Sequence, residues 1–382
     1  MKTMFICIAT LIAMGCSNYN EVEGVNPAAP TKIFHASIDE EVSRVYMATD
    51  LSMHWNAADA ISLFCSAKNE KYQFQGKDGD INGDFAPVQE GNTTATMSHY
   101  AALYPYMSAA TISEDGSTLH VTMPAVQNYA TASMGKDANM MTAATASLER
   151  RDLKFRNVCG YLCLNLYGND VTLGSVVLKG NGSEKLAGEA TVSVTYDAPS
   201  VVTMGDAATD AVTLLCDNVS LGSSTEPTQL YFAIPPTTFE QGFTVTVTDA
   251  GGKVFVVDTD KRVAIERNTI QPMAAVEVTP KEATIEGLTA PEMVSLPAQS
   301  AKAQSVSVGC STEDVTISAS EPWFGVVGGT ATVAKGDAQS VALWSEPNFS
   351  TAERSAVITI TGVRSGLSVQ LPVVQSPYFT TI

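Results

Sequence analysis

The sequence predicts an all-β fold, a series of antiparallel sandwiches, and three observations carry the prediction. Apolar and polar residues alternate with a period of two along much of the chain, as in Phe243-Thr244-Val245-Thr246-Val247-Thr248. That period lays one face of a strand on a core and the other in solvent. Clusters of Gly, Asn, Asp, Ser and Pro punctuate these segments at short intervals, and short strands with one buried face build sandwiches. Sustained apolar spacing at i, i+3, i+4, i+7 is absent; the nearest approach, the Met/Ala-rich stretch 138–148, is expected to form a turn or two of helix.

The strands follow in chain order. Segments 32–38, 60–64, 119–123, 162–166, 175–178, 190–196, 230–234, 356–360 and 368–374 each read as strands. Residues 243–248 and 254–257 read as a hairpin, because Gly251-Gly252 supplies the positive φ that a tight reversal needs.

Length and charge bound the function. At about 100–200 residues per domain, 382 residues predict two or three domains with proper cores. Forty acidic against twenty-two basic residues give a net charge of −18. Such a surface repels phosphate backbones, and no dense Lys/Arg stripe offsets it, so nucleic acid is not an expected partner.

Lys2 precedes an apolar run, residues 4–14, that is too short for the roughly 20 residues of a membrane helix and suits a signal-peptide core. It ends Ala13-Met14-Gly15-Cys16-Ser17, which resembles a bacterial lipobox and makes Cys16 the expected lipidation site. Residues 1–16 are then a lipoprotein signal peptide and 17–30 a tether. Acyl chains stabilise attachment by about 0.8 kcal/mol per buried methylene, so the lipid bilayer becomes a partner through the N-terminal anchor.

Five cysteines lie beyond Cys16: Cys65, Cys159, Cys163, Cys216 and Cys310. An odd number cannot all pair within the chain. Cys159 and Cys163, four apart in an expected strand, would sit about 13 Å apart, beyond disulfide reach. These cysteines read as small buried hydrophobes. No C-x-x-C occurs, and His35, His54, His99 and His120 lack ligand spacing, so no zinc site is expected.

The Pro- and Glu-containing stretch 278–282 marks a boundary before the last hundred residues. Residues 31–280 exceed one sandwich core and should divide near 145–155. The expected division is 31–150, 151–280 and 283–382.

Several phrases along residues 31–278 resemble the fimbrillin-like family, the surface lipoproteins and pilus subunits of Gram-negative gut and oral anaerobes. They are Trp55 with Asp59 and Ile61, Tyr104-Pro105-Tyr106, and Leu153-x-Phe155 followed by Leu162 and Leu164, where Asn157 departs from the family's usual His. Tyr231-Phe232-Ala233-Ile234-Pro235 and Arg267-Asn268-Thr269-Ile270 follow in the family's order. The last hundred residues resemble a different module, the BACON domain, through Pro322-Trp323-Phe324, Asn348 with Arg354-Ser355-Ala356-Val357-Ile358, and Val373-Val374-Gln375. Together these resemblances imply two transthyretin-like fimbrillin sandwiches followed by an Ig-like sandwich. They also imply an outer-membrane, lipid-anchored protein displayed at the cell surface, with other fimbrillin subunits, or host or dietary glycans, as partners.

In polymerising fimbrillins the first strand of the N-terminal domain is cut away and a strand of another subunit fills the groove. The resemblance makes Lys32-Ile33-Phe34-His35-Ala36-Ser37-Ile38 that removable strand, with Ile33, His35 and Ser37 on one face and Phe34, Ala36 and Ile38 on the other. Arg44 is the positional match for the basic processing residue.

Asp78-Gly79-Asp80-Ile81-Asn82-Gly83 fits the opening of a calcium loop, with Asp78, Asp80 and Asn82 as candidate ligands. Its twelfth position is Gln89 where a bidentate Glu is needed, and turn chemistry accounts for the same residues. No other cofactor is expected. Trp323, Trp344 and Trp55 could stack on sugars, but Trp323 and Trp55 are expected in cores. Tyr378 and Phe379 lie near the C-terminus, and the glycan-binding residues are not otherwise specified. There is no G-x-S-x-G, no H-E-x-x-H and no phosphate loop, so no enzyme is expected. Adhesion, or an accessory tip or anchor role in a pilus assembled by donor-strand exchange, is the leading expectation. Glycan capture, or a spacer role without a ligand, is the alternative.

Overall fold

In the computed structural model, the described residues are 32–38, 54–89, 93–281, 284–299, 301–319 and 321–378. Every strand and sheet assigned among them is β, so the chain is all-β as its alternation predicts. Among the described residues no helix is long and apolar enough to cross a membrane.

The first sheet closes on itself as a barrel. Its strands run, in spatial order, Phe34–Ile38, Asp152–Asn157, Met141–Ala144, Ala101–Tyr104, Ala60–Phe64, Glu70–Phe74 and Asn82–Pro87, which returns to Phe34–Ile38. Trp55, 1% exposed, fills the interior with its ring 5.1–5.9 Å from those of Phe74, Phe85, Tyr104 and Phe155. Clustered aromatics of this size dominate the burial energy of a small barrel.

Two expectations change here. The stretch 138–148 holds the strand Met141–Ala144, with all four residues buried, rather than a helix turn. Pairing on both sides, to Ala101–Tyr104 and Asp152–Asn157, satisfies its backbone and overrides the local helix preference of Met and Ala. The strand Asp152–Asn157, placed beyond the expected break at 145–155, belongs to the first barrel.

The second body has one sheet ordered Thr228–Ile234, Gly160–Tyr167, Ile270–Pro272, and a second ordered Val254–Thr259, Phe243–Asp249, Thr172–Gly180, Ala211–Ser220, Val126–Asn128. Leu162, Val176, Leu214, Phe232 and Val247 meet between them, each at 0% exposure. The predicted hairpin is present: Asp249 Oδ1 accepts from the amides of Gly251 and Lys253, and Gly252 takes φ +86. A further sheet joins Thr111–Ile112 and Thr118–Met123 to Gly188–Ser193 and Val202–Met204. It draws strands from both sides of the barrel's last strand, so the first two bodies interlock rather than follow one another as beads.

Buried amides tie the interlock. Asn157 Oδ1 accepts from Asn139 Nδ2 at 2.7 Å, its Nδ2 donates to Asn268 Oδ1 at 2.6 Å, and the Tyr161 hydroxyl donates to Asn139 Oδ1 at 2.7 Å. An amide at 157 both donates and accepts, and that is what this junction between the two bodies requires.

The C-terminal module is two sheets face to face. One holds Leu288–Thr289, Ala301–Cys310, Gly336–Ser345 and Phe324–Val326; the other Val294–Leu296, Ser368–Gln375, Arg354–Gly362, Val315–Ala319 and Thr330–Val333. Val308, Ile317, Leu343, Ile358 and Val373 form its core. Its turn at 363–365 rests on the second body. There Lys179 Nζ donates to Val363 O at 2.6 Å, Thr246 Oγ1 donates to Ser365 O at 2.9 Å, and Arg364 pairs with Asp258.

Candidate functional site: the seat of the first strand

Phe34–Ile38 closes the barrel by pairing with two strands far away in sequence, parallel to Asp152–Asn157 and antiparallel to Asn82–Pro87. Its faces alternate as predicted. Phe34 and Ala36 are buried and Ile38 packs against the same core, while Ile33 and His35 are exposed and Ser37 is half-buried. Lys32 and Ile33 precede the strand itself.

The inner face carries the burial. The Phe34 ring meets Tyr72 at 5.5 Å and Tyr100 at 4.8 Å, both edge-on. The Arg151 guanidinium lies 5.2 Å from the Phe34 centroid and 4.7 Å from that of Tyr100. Ala36 stands opposite Gly83, whose missing side chain is required: a Cβ there would come within 2.3 Å of the Phe74 ring. Ile38 stands opposite Phe155. Without this strand the barrel would expose an apolar slot walled by Tyr72, Phe85, Tyr100, Leu153 and Phe155, together with two rows of unpaired backbone groups. The sequence gives no sign that Arg151, Tyr72 and Tyr100 surround the first strand. Period-two alternation in 70–74 marks Tyr72 as inward-facing, but nothing in the sequence signals its meeting with Phe34.

The outer face is charged. His35 Nδ1 donates to Asp84 Oδ1 at 2.5 Å, and Asp152 stands opposite His35 on the other side. Arg150 Nε lies 4.0 Å from Asp152. The expected lipidation site Cys16, the signal and tether, the processing residue Arg44, and Phe379 lie outside the described residues.

The calcium candidates lie in and beside the turn. Asp78 Oδ1 accepts from the Ala57 amide at 2.7 Å and Asp80 Oδ2 from the Lys77 amide at 2.8 Å, while Asn82 enters the strand opposite Ser37. Among the described residues no group of three or more His, Cys, Asp or Glu side chains could hold a metal ion.

Asp59 is a buried carboxyl of the barrel with a perturbed pKa. It is 2% exposed, accepts from the Asn56 amide at 2.8 Å and from the Tyr104 hydroxyl at 3.2 Å, and burial raises its pKa against those bonds. It closes the turn after Trp55. Cys65, Cys159, Cys163, Cys216 and Cys310 are free and buried; their reading as small hydrophobes predicts the burial, whereas their odd number requires only that not all of them pair. Burial pushes the Cys159 and Cys163 thiols up to about 11 and Cys216 to about 12.

In the C-terminal module the quoted phrases become one polar clamp. Gln375, 0% exposed, donates through Nε2 to Pro297 O and Glu346 O at 2.9 Å each and accepts from Arg354 Nε at 2.7 Å. Asn348 Nδ2 donates to Ala352 O at 2.9 Å. Trp323 is half-buried rather than in the core: Phe324 takes the core position, and the Arg354 guanidinium covers Trp323 at 4.0 Å. Adjacent residues of an extended chain face opposite ways, so only one of the pair can enter. Phe349 and Tyr378, exposed to 68% and 45%, face each other at 5.7 Å.

No protein-family model matches the chain, and no curated protein matches it. Solved structures do. The chain is similar to the tip fimbrial protein Mfa3 from Porphyromonas gingivalis, solved with a C-terminal truncation, at 11% identity over 63% of this chain and 94% of that one, TM-score 0.26. It is similar to a candidate cell adhesion protein from Bacteroides fragilis at 8% identity over 60% and 86%, TM-score 0.34. It is also similar to a GH5 xyloglucanase from Bacteroides ovatus at 21% identity over 24% and 19%, TM-score 0.20, spanning about a fifth of that enzyme's length. Likeness at this level attaches no activity to the chain.

Proposed function

We propose that this is a lipid-anchored, cell-surface fimbrillin-family protein that acts in adhesion, or as an accessory tip or anchor subunit of a pilus assembled by donor-strand exchange. One observation carries the reading. The first described strand completes a barrel through main-chain pairs on both sides and a buried aromatic-small-aliphatic face, so its loss leaves a slot shaped for another strand. The proposal needs no cofactor and no catalytic step; Asp59, Tyr104 and the buried thiols are structural groups in it. A C-terminal module already docked on the second body suits a terminal or accessory position better than a repeating shaft.

The test is limited proteolysis of the lipidated or signal-less full chain near Arg44, followed by non-reducing electrophoresis without boiling. Release of a short N-terminal fragment together with SDS-resistant ladders supports strand exchange. A nicked chain that remains monomeric argues against it.

A second reading is favoured by the exposed Phe349–Tyr378 pair, whose ring faces could bind the C–H side of a pyranose. A glycan array probed with the wild type and with Phe349→Ala separates the two, since binding lost in the variant would point to glycan capture.

A further inference from the structure

Resting on the strand-exchange reading, we infer that the seat selects an incoming strand by charge, favouring a cationic or hydrogen-bond-donating residue over an acidic one at the position held by His35. Burial accounts for the inner face and would accept any strand with an aromatic residue, a small residue and an aliphatic residue two apart. The outer face is asymmetric. Position 35 lies between Asp84 on one neighbour and Asp152 on the other, whereas position 37 lies between Asn82 and Lys154.

Two consequences follow. A Lys or Arg at the first outer position is attracted from both sides, a His there donates a hydrogen bond to Asp84, and a Glu or Asp meets two carboxylates at cross-strand distance. A slip by two residues keeps the same inner and outer faces, so hydrophobic alternation alone does not exclude it. In the register slipped so that the cation takes position 37 it would stand opposite Lys154, and the aromatic residue would have to fit where Ala36 now lies opposite Gly83. The charge pattern thus fixes register as well as partner.

The surroundings leave room for a longer side chain than His. A shallow depression of about 370 Å³ on this face is lined by His35, Ser37, Asn82, Gly83, Asp84 and Asp152. Arg150, 4.0 Å from Asp152, engages one of the two acids from the turn that precedes its strand. Asp84 is the closer partner and carries the greater share of the selection. The protein's net charge of −18 leads an incoming basic segment in the same direction.

The test has two arms on the full chain. In the intact protein His35→Lys and His35→Glu are melted side by side, and His35→Lys is expected to hold the wild-type transition while His35→Glu lowers it. In a form carrying a specific protease site within 39–53, cleavage frees the first strand. Labelled heptapeptides Lys-Ile-Phe-Xaa-Ala-Ser-Ile then compete for the seat, with Xaa His, Lys, Ala or Glu. The Lys and His peptides should bind about two- to five-fold more tightly than Ala, with Glu weakest, and Asp84→Asn should flatten the order. If His35→Glu melts with His35→Lys and all four peptides exchange equally, charge selection is overturned while strand exchange stands. If the charge order holds in the intact chain but no peptide enters, the strand-exchange reading fails, and the inference about incoming strands falls with it.

Discussion

Phe34 is where a single side chain decides most. It is fully buried between Tyr72 and Tyr100 under the Arg151 guanidinium. Phe34→Ala removes a buried ring and leaves a cavity, so a loss of about 3–5 kcal/mol is expected in denaturant unfolding. Ile33→Ser, at an exposed site one residue earlier, should change stability by less than about 0.5 kcal/mol. Asp59 makes a pH prediction. Burial raises its folded-state pKa above the unfolded value, so the folded chain holds the proton more tightly. Stability contributed by that proton is fully present below the unfolded pKa and is lost as pH rises through the folded one. Unfolding titrations of the wild type against Asp59→Asn should show the wild-type relative stability falling as pH rises through and above the usual carboxylate range. A difference that stays flat or grows with pH would contradict the assignment.

Among elements, the polar clamp of the C-terminal module shows why its phrases keep their spacing. Gln375 at the end of the last strand holds the carbonyls of Pro297 and Glu346, and Arg354 at the start of the preceding strand holds Gln375 and lies on Trp323. Gln375→Ala removes two donations to half-buried carbonyls, of which Glu346 O keeps the Arg354 Nη2 bond, and leaves Arg354 Nε without its acceptor. A loss of about 2–3 kcal/mol, read as a lowered melting transition of this module, is expected. Gln375→Glu should be nearly as costly, because a buried carboxylate cannot donate to those carbonyls. The stretch 138–148 teaches the opposite lesson. Its composition favours a helix, yet Met141–Ala144 sits between two strands whose distance in sequence no local rule can anticipate.

Across the whole molecule, the docked turn at 363–365 sets how the C-terminal module is carried. Thr246 and Ser365 are buried at this contact, and Lys179 and the Arg364–Asp258 pair rim it. An exposed ion pair contributes little to stability, about 0–1 kcal/mol, but one such pair beside two hydrogen bonds to the turn's carbonyls can fix an orientation. Arg364→Glu sets a carboxylate against Asp258. Small-angle scattering should then show a larger radius of gyration with the melting of the barrel unchanged, and an unaltered scattering curve would show that the pair does not hold the module.

Period-two alternation, turn residues and the absence of helical spacing determined the all-β fold and the inward faces of its strands. The odd number of cysteines determined that they cannot all pair within the chain, and the structure places all five thiols buried and free. These features are local, since a strand's face is set by its own alternation. Only the tertiary structure decided that the first sheet closes as a barrel, that Asp152–Asn157 belongs to it, and that His35 stands between Asp84 and Asp152. Those facts depend on which strands pair across gaps of some fifty to more than a hundred residues. Pairing at that range is chosen by the packing of the whole core and leaves no mark at either position alone.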